Sequence, residues 1–284
     1  MINLLITGTV RNVGNSILKR VLKLEKNLKS AFDTKWLIIE SDSEDDTIVE
    51  LLKLKQLVSN FEFISLGRLQ EKIPLRTQRL AYCRNLYLQK LKESPKYENI
   101  DYVMVIDLDE VGDQLTQESI SSCFERSDWD VCCACQNGPY YDIWALRHYL
   151  WSPNDCWKSY QFLINHGSSR YTALTSAVYS RMLNISKCKD WIEVDSAFGG
   201  CAIYKKHILL DVLYCGTNEN NEEVCEHVEL HRQIKQKGGR IFINPRFINA
   251  RVIEHSIYAT HLGLVRLWLK DFIKSVMALF SGRF

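Results

Sequence analysis

The sequence has no long apolar run, no block of like charge, no internal repeat and no low-complexity linker. The first absence excludes a membrane-spanning helix, which needs about 20 consecutive apolar residues. The second, with a net charge of +2, argues against a protein that coats nucleic acid. The last two favour one continuous domain. The opening Met-Ile-Asn-Leu-Leu-Ile lacks a basic segment and soon reaches polar residues. It reads as a first strand and not as a signal peptide. Ten cysteines in 284 residues are too sparse for a small disulfide scaffold. Cys132 and Cys135 form a CxxC pair, but no second pair stands at ribbon spacing and no turn separates them, so a zinc ribbon is not expected. The thiols read as reduced and mostly buried in a cytosolic protein. Asn184-Ile185-Ser186 is formally a glycosylation sequon, which carries no weight without a secretory signal.

What is present suits a single α/β domain with a sizeable core: 46% hydrophobic and 25% charged residues. Strands and helices alternate through the first half. Strands are expected at residues 2–7, 36–40, 61–66, 102–106 and 129–134. Amphipathic stretches fall at about 12–29, after the acidic loop 41–46, and at about 75–91, where Leu80, Cys83, Tyr87 and Leu91 keep helical spacing. This order implies a mostly parallel sheet with right-handed crossovers, flanked by helices. Residues 137–189 are aromatic-rich and irregular, with some helix. A Gly-Gly turn enters a strand within 195–204, a helix spans 222–237 and stops at Gly238-Gly239, and a strand covers 240–248.

Ligands of such sheets bind beyond the carboxyl ends of the strands. Asp107 and Asp109 sit at one of those ends. Residues i and i+2 of an extended chain share a face, so both carboxylates can meet one hard cation, Mn²⁺ or Mg²⁺. A cation held there can also grip a diphosphate, as transfer from a nucleotide sugar requires. Three other readings compete. A DxD can be a surface pair capping a loop. Val-Ile-Asp-Leu-Asp-Glu-Val also fits the nucleophile motif of haloacid-dehalogenase-like phosphatases, with Asp107 as nucleophile, although nothing convincing downstream supplies the further carboxylates. A sugar nucleotidyltransferase would carry a Gly-rich basic loop after the first strand, and residues 8–14 lack its pattern. Arg76 and Arg79 share a helix face and suit phosphate contact, or form a solvated face.

Several segments together resemble one family. They are Arg79-Leu80-Ala81-Tyr82-Cys83-Arg84-Asn85, the Asp-Leu-Asp strand, Val131-Cys132-Cys133-Ala134-Cys135, and Tyr141-Asp142-Ile143-Trp144-Ala145-Leu146-Arg147. Asp195-Ser196-Ala197-Phe198-Gly199-Gly200 and Cys225-Glu226-His227 follow. Their order over roughly residues 76–249 resembles the cryptococcal-capsule-type mannosyltransferases and their bacterial and viral relatives. The resemblance implies a GT-A fold, the Rossmann-like fold of nucleotide-diphospho-sugar transferases. It implies Asp107 and Asp109 as metal ligands, with His255, or His261 in its place, as the late metal-binding histidine. It implies Gly199 and Gly200 beside the donor sugar, and Thr7, Gly8 and Arg11 beside the nucleotide. Glu226 and His227 fall at the acidic catalytic element, where His227 replaces the usual final aspartate and leaves the identity of the base open. Glu226 in a first helical turn also suits the helix dipole alone. Gly199-Gly200 equally suits a bulge, and His227 with His231 shares the spacing of a zinc pair.

The function expected is metal-dependent transfer of a hexosyl group from a nucleoside diphosphate sugar to a glycan or lipid-linked acceptor, in polysaccharide biosynthesis. The resemblance favours a mannosyl-type donor and a retaining outcome, and aromatic residues of the middle segment would stack on the acceptor. A non-catalytic carbohydrate-binding module is the alternative of another class. Residues 1–254 are expected to form the catalytic domain and 255–284 a loop and amphipathic helix. There Leu262, Val265, Leu269, Phe272, Ile273, Val276 and Phe280 share a face, with Arg266, Lys270 and Lys274 on another and Trp268 between. This helix either docks on the core or lies on the cytoplasmic face of a membrane.

Overall fold

The computed structural model describes residues 1–109 and 111–280, without the side chains of 261, 271, 274, 275 and 278–280. The side chains of Lys274 and Phe280 in the tail stripe, of His261, and Glu110 of the Asp-Leu-Asp segment therefore lie outside the described residues. Eight strands form one sheet: β1 (Ile2–Val10), β2 (Phe32–Glu40), β3 (Phe61–Ser65), β4 (Tyr102–Ile106), β5 (Val131–Gln136), β6 (Ile192–Val194), β7 (Cys201–Lys205) and β8 (Ile241–Ala250), in the spatial order β3-β2-β1-β4-β7-β5-β8-β6. Strands β1 to β5 and β8 run one way; β7 and β6 oppose them. The helices are α1 (Ile17–Leu28), α2 (Thr47–Leu57), α3 (Arg76–Glu93), α4 (Gln117–Ser121), α5 (Cys156–Asn165), α6 (Arg170–Ala177), α7 (Lys206–Leu209), α8 (Glu226–Gln236) and α9 (His261–Phe280).

The period of two along the strands splits the core. Leu4, Ile6, Met104 and Ile106 point to the face covered by α1 through Ile17, Val21 and Leu24, and by α2 through Leu51 and Leu54. Leu5, Val103 and Val105 point to the face covered by α3 through Ala81, Tyr87 and Leu88, and by α8 through Leu230 and Ile234. Val103 to Ile106 are fully buried; each such aliphatic side chain stabilises the fold by about 1.5–3 kcal/mol. The cysteines of β5 fill the same core, and all ten cysteines are free.

Several boundaries differ from the sequence reading. Strand β1 continues to Val10, because its parallel pairing with β2 extends through Gly8, Thr9 and Val10. Helix α1 starts at Ile17, not near residue 12, because the intervening turn is tied to the β2–α2 loop. Asn12, at φ 52°, receives the Glu44 amide on its side chain, and the Val13 amide donates to the Thr47 hydroxyl. The fifth strand lies two residues later than expected, at Val131–Gln136.

Strand β7 decides where the site sits. It runs antiparallel between β4 and β5, with Cys201 opposite Ile106. Its leading turn, Gly199-Gly200, therefore lies beside Asp107 at the carboxyl ends of β1, β2 and β4.

Candidate active site

A cleft of about 760 Å³ opens at those strand ends. Arg11, Arg76, Arg79, Asp107, Asp109, Glu226, His227 and His255, all singled out from sequence, line it. Thr7, Gly8, Gly199 and Gly200, also singled out, do not. The Thr7 side chain is fully buried and its hydroxyl donates to the Leu37 carbonyl, 2.7 Å away inside the sheet. A Cβ on Gly8 would stand 2.1 Å from the Ile106 carbonyl oxygen, so this glycine lets β1 approach the residue just before Asp107. The longer β1 brings Thr9 and Val10 to the cleft beside Arg11.

The centre is Arg84, in the quoted α3 segment but not recognised from sequence as a site residue. Its side chain is 3% exposed, its Nε donates to Glu226 Oε1 at 3.2 Å, and one terminal nitrogen lies 3.4 Å from Asp107 Oδ1. The guanidinium lies over the rings of Phe198 and Tyr214 at 5.4 and 5.6 Å. Helix α3 carries Arg84 on its buried face, and α8 presents Glu226 as its first residue with Cys225 as the cap position. Glu226 thus serves the helix start and a buried ion pair together.

Asp142 is the other residue the sequence reading left without a role. Its carboxylate accepts the Gly199 amide at 2.9 Å and the Ala145 amide at 3.4 Å. The Gly199 carbonyl in turn accepts the side-chain amides of Gln136 and Asn249. Gly199 and Gly200 take φ of +65° and +78°, a region side chains rarely adopt. A Cβ on Gly200 would lie 2.3 Å from the Tyr141 hydroxyl. The turn is thus clamped, and the Gly200 carbonyl accepts the Asp107 amide at 2.9 Å.

Arg84 faces the carboxylates of Asp107 and Glu226, and Asp109 and Asp142 lie close enough to act on Asp107 as well. Burial pushes the Asp107 carboxyl up to about 7, against the pull of Arg84 and with help from Asp109, Asp142 and Glu226. Burial also pushes Asp142 up to about 6, opposed by the two amides it accepts. The cluster carries more negative charge than its single cation balances. Among the described residues no group of three His, Cys, Asp or Glu is gathered as a ready metal cage. A Mg²⁺-like ion, however, takes one or two carboxylates from protein and the rest from water and substrate phosphate. Asp107, with 33% of its side chain accessible, and Asp109 fit that demand.

The histidines separate. His227 is buried, stacked on Phe198 at 3.8 Å between ring centroids, with neither ring nitrogen hydrogen-bonded. Burial, then the charge of Arg84, lowers its pKa well below the usual value, so the ring is neutral. His231 sits 6.1 Å from it, ring to ring, but both its nitrogens are taken, by the Ser196 and Tyr204 hydroxyls at 2.9 Å each. The zinc pair is therefore not formed. His255 stacks on Tyr141 across 6.3 Å.

Arg79 is partly engaged. Its guanidinium donates to the Ile73 and Pro74 carbonyls and lies 3.6 Å from the buried Asp42 carboxylate. The Arg11 guanidinium donates to the Asp42 carbonyl and to the Gln70 side chain. Arg76 is exposed.

No protein-family model matches the chain, and no curated protein does. Among solved structures it is similar to GalNAc-T7 with UDP, GalNAc and Mn²⁺: TM-score 0.52 and 12% identity, over 94% of this chain and 47% of that one. It is also similar to residues 1–349 of S. aureus TarS with UDP-GlcNAc, at TM-score 0.49 and 14% identity, over 89% and 59%. Mannosyltransferase PcManGT from Pyrobaculum calidifontis, in complex with GDP-Man and Mn²⁺, gives 0.47 and 11%, over 96% and 64%. The chain thus spans less than two thirds of the length of each. The fold is that of the GT-A glycosyltransferases.

Proposed function

We propose that this chain transfers a hexosyl group from a nucleoside diphosphate sugar, with Mn²⁺ or Mg²⁺, to a glycan or lipid-linked acceptor. The observation that carries the reading is the charge division of the cleft. Arg11, Arg76 and Arg79 stand on its β1–α3 side, and the excess of carboxylates gathers about Asp107 at the end of β4. A diphosphate with its cation satisfies both sides. The GT-A fold supports this, and GalNAc-T7, which shares it, holds UDP, a sugar and Mn²⁺. The donor expected from the sequence resemblance is mannosyl-type.

In this reading Asp107 and Asp109 would hold the metal; His255, the third ligand the resemblance implies, lines the same cleft but is not gathered with them. The bound ion supplies charge neutralisation for the leaving diphosphate. The arginines orient the phosphates, with Arg76 free of the protein contacts that tie Arg79. The Gly199-Gly200 turn, packed against Tyr141, Val111 and Ala134, acts from behind the cleft by holding Asp107 in place. Glu226 accepts the proton of the acceptor hydroxyl, and Arg84 fixes its orientation. A histidine with a strongly lowered pKa is a weak base, so His227 serves as a neutral hydrogen-bonding surface beneath the acceptor. Trp144, Trp157 and Tyr179 on the cleft wall offer ring faces to acceptor sugars. A phosphatase using Asp107 as nucleophile is disfavoured. The further carboxylate it would need after a later strand is not free, because Asp142, which follows β5, is taken up by the Gly199 and Ala145 amides.

The test is a donor-hydrolysis screen over UDP-, GDP- and CDP-sugars with Mn²⁺. One nucleotide class should be hydrolysed, and chelator should stop it. Asp109→Asn should lose most activity and metal-dependent donor binding at unchanged melting temperature, because the residue is a strand-end ligand and no part of the core. Full turnover in excess chelator would refute the metal mechanism. Metal-dependent donor binding without turnover would favour the non-catalytic binding module.

A further inference from the structure

Helix α9 packs against α6 and the turn Glu254–Ala259. Gly263 makes the close approach: a Cβ there would lie 1.9 Å from the Ile257 carbonyl oxygen. Leu264 and Leu267 on the same side are partly buried. The opposite side is apolar and uncovered. At about 100° per residue, Trp268, Phe272, Val265, Leu269, Leu262 and Ile273 succeed one another around an arc of about 140°. All six are exposed, Leu262 at 76% and Phe272 at 54%. Trp268 and Phe272 stack at 5.6 Å.

The stripe seen in the sequence is thus turned outward, contrary to a helix docked by its apolar face. A contiguous apolar surface of this kind marks an interaction site. Arg266 and Lys270, both exposed, border the arc beyond Ile273. In sequence the helix carries Arg266, Lys270 and Lys274 against the single acid Asp271. No helix among the described residues is long and apolar enough to cross a membrane.

We propose that α9 lies in the surface of an anionic lipid bilayer, its aromatic and aliphatic arc among the acyl chains and its basic flank on the headgroups. An indole at the rim suits that boundary. A second copy of the chain fits less well, because pairing two such faces brings their cationic flanks together. The link to the cleft is direct. The Lys270 ammonium donates to the Tyr258 hydroxyl at 2.9 Å, and Tyr258 and His255 form part of the cleft wall. A docked helix therefore holds the cleft mouth beside the bilayer, where a lipid-linked acceptor would present its sugar. That last step rests on the catalytic reading; the lipid contact does not.

The experiment uses the full chain with vesicles of phosphatidylcholine alone or mixed with phosphatidylglycerol. The chain should pellet with the anionic vesicles at low salt, more weakly as salt rises, and not with phosphatidylcholine alone. Arg266→Ala should weaken binding about fivefold. Phe272→Asp with Ile273→Asp should abolish it at unchanged melting temperature and unchanged vesicle-free donor hydrolysis, since both side chains are exposed and neither lines the cleft. Three outcomes overturn the proposal. They are no pelleting with anionic vesicles at low salt, equal pelleting of the double variant, or a dimeric parent that the double variant converts to monomer. Loss of donor hydrolysis with pelleting intact would count against the catalytic reading alone.

Discussion

Replacing Arg84 by methionine preserves much of the side-chain volume but removes the guanidinium between Glu226 and Asp107. Breaking a buried pair by removing one partner leaves the other charge uncompensated, at about 3–5 kcal/mol. Glu226, 4% exposed, should account for most of this, because Asp107 is a third accessible and is relieved by water. The two lost ring contacts add about 0.5–1 kcal/mol each. A domain has about 5–15 kcal/mol in all, so Arg84→Met should remain folded but fragile at pH 8. Urea unfolding in the presence of chelator measures the loss. The penalty should shrink as pH falls and the orphaned carboxyls take up protons. Adding Glu226→Gln to Arg84→Met should restore most of the stability, because it removes the uncompensated charge. A loss under about 1 kcal/mol, or no recovery in the double variant, would refute the view of Arg84 as a buried counter-ion.

Glu226→Gln alone should depress turnover far more than donor binding, read by kcat against donor Kd; equal kinetics would return Glu226 to a structural role. Gly199→Ala forces a side chain into φ +65° and within 2.6 Å of the Ala134 carbonyl. It should cost about 1–3 kcal/mol and displace the neighbouring Asp142 contact, detectable as a lower melting temperature with weaker donor binding. Burial lowers the His231 pKa from 6.5 to about 3, so its stabilising contribution is complete above pH 6.5 and is lost as pH falls toward 3. Substituting His231→Gln should flatten the stability–pH slope in that window by about 1.4 kcal/mol per unit; an unchanged slope would show that the ring is not held neutral.

The alternation of strands and helices, and the position of the aspartates after β4, could be read from periodicity, because both depend on local pattern. Arg84 could not be read as easily. It falls among Ala81, Leu88 and Leu91 on the buried stripe of α3, and a charge on an apolar stripe is a signal. Which carboxylates would meet it depended on α8, 142 residues away in sequence. Strand direction is equally silent in a pattern of alternating side chains, so β7 showed itself as a strand but not as one running backwards between β4 and β5. Gly8 looked like the end of β1 because glycine often ends a strand. The sheet carries the strand past it, so Thr9 and Val10 reach the cleft beside Arg11 while Thr7 and Gly8 do not. For α9 the periodicity gave a stripe without saying which side would meet the protein. That required the contact at Gly263.

The bond from the Asp107 amide to the Gly200 carbonyl joins two parts of the site as consecutive rungs of one ladder. Asp142, Gln136 and Asn249 brace the same turn, so this wall of the cleft is a stiff plate. The facing wall has a different character. His255 and Tyr258 come from a single short turn, joined to the first wall by a ring stack and not by a ladder. Adjustment to ligands of different size therefore falls to the facing wall, while the spacing of Asp107 and the glycine turn is set by the sheet. Under the proposed transfer reaction, such a division would let acceptor preference drift, by changes in one turn and its helix, without disturbing the carboxylates at the end of β4.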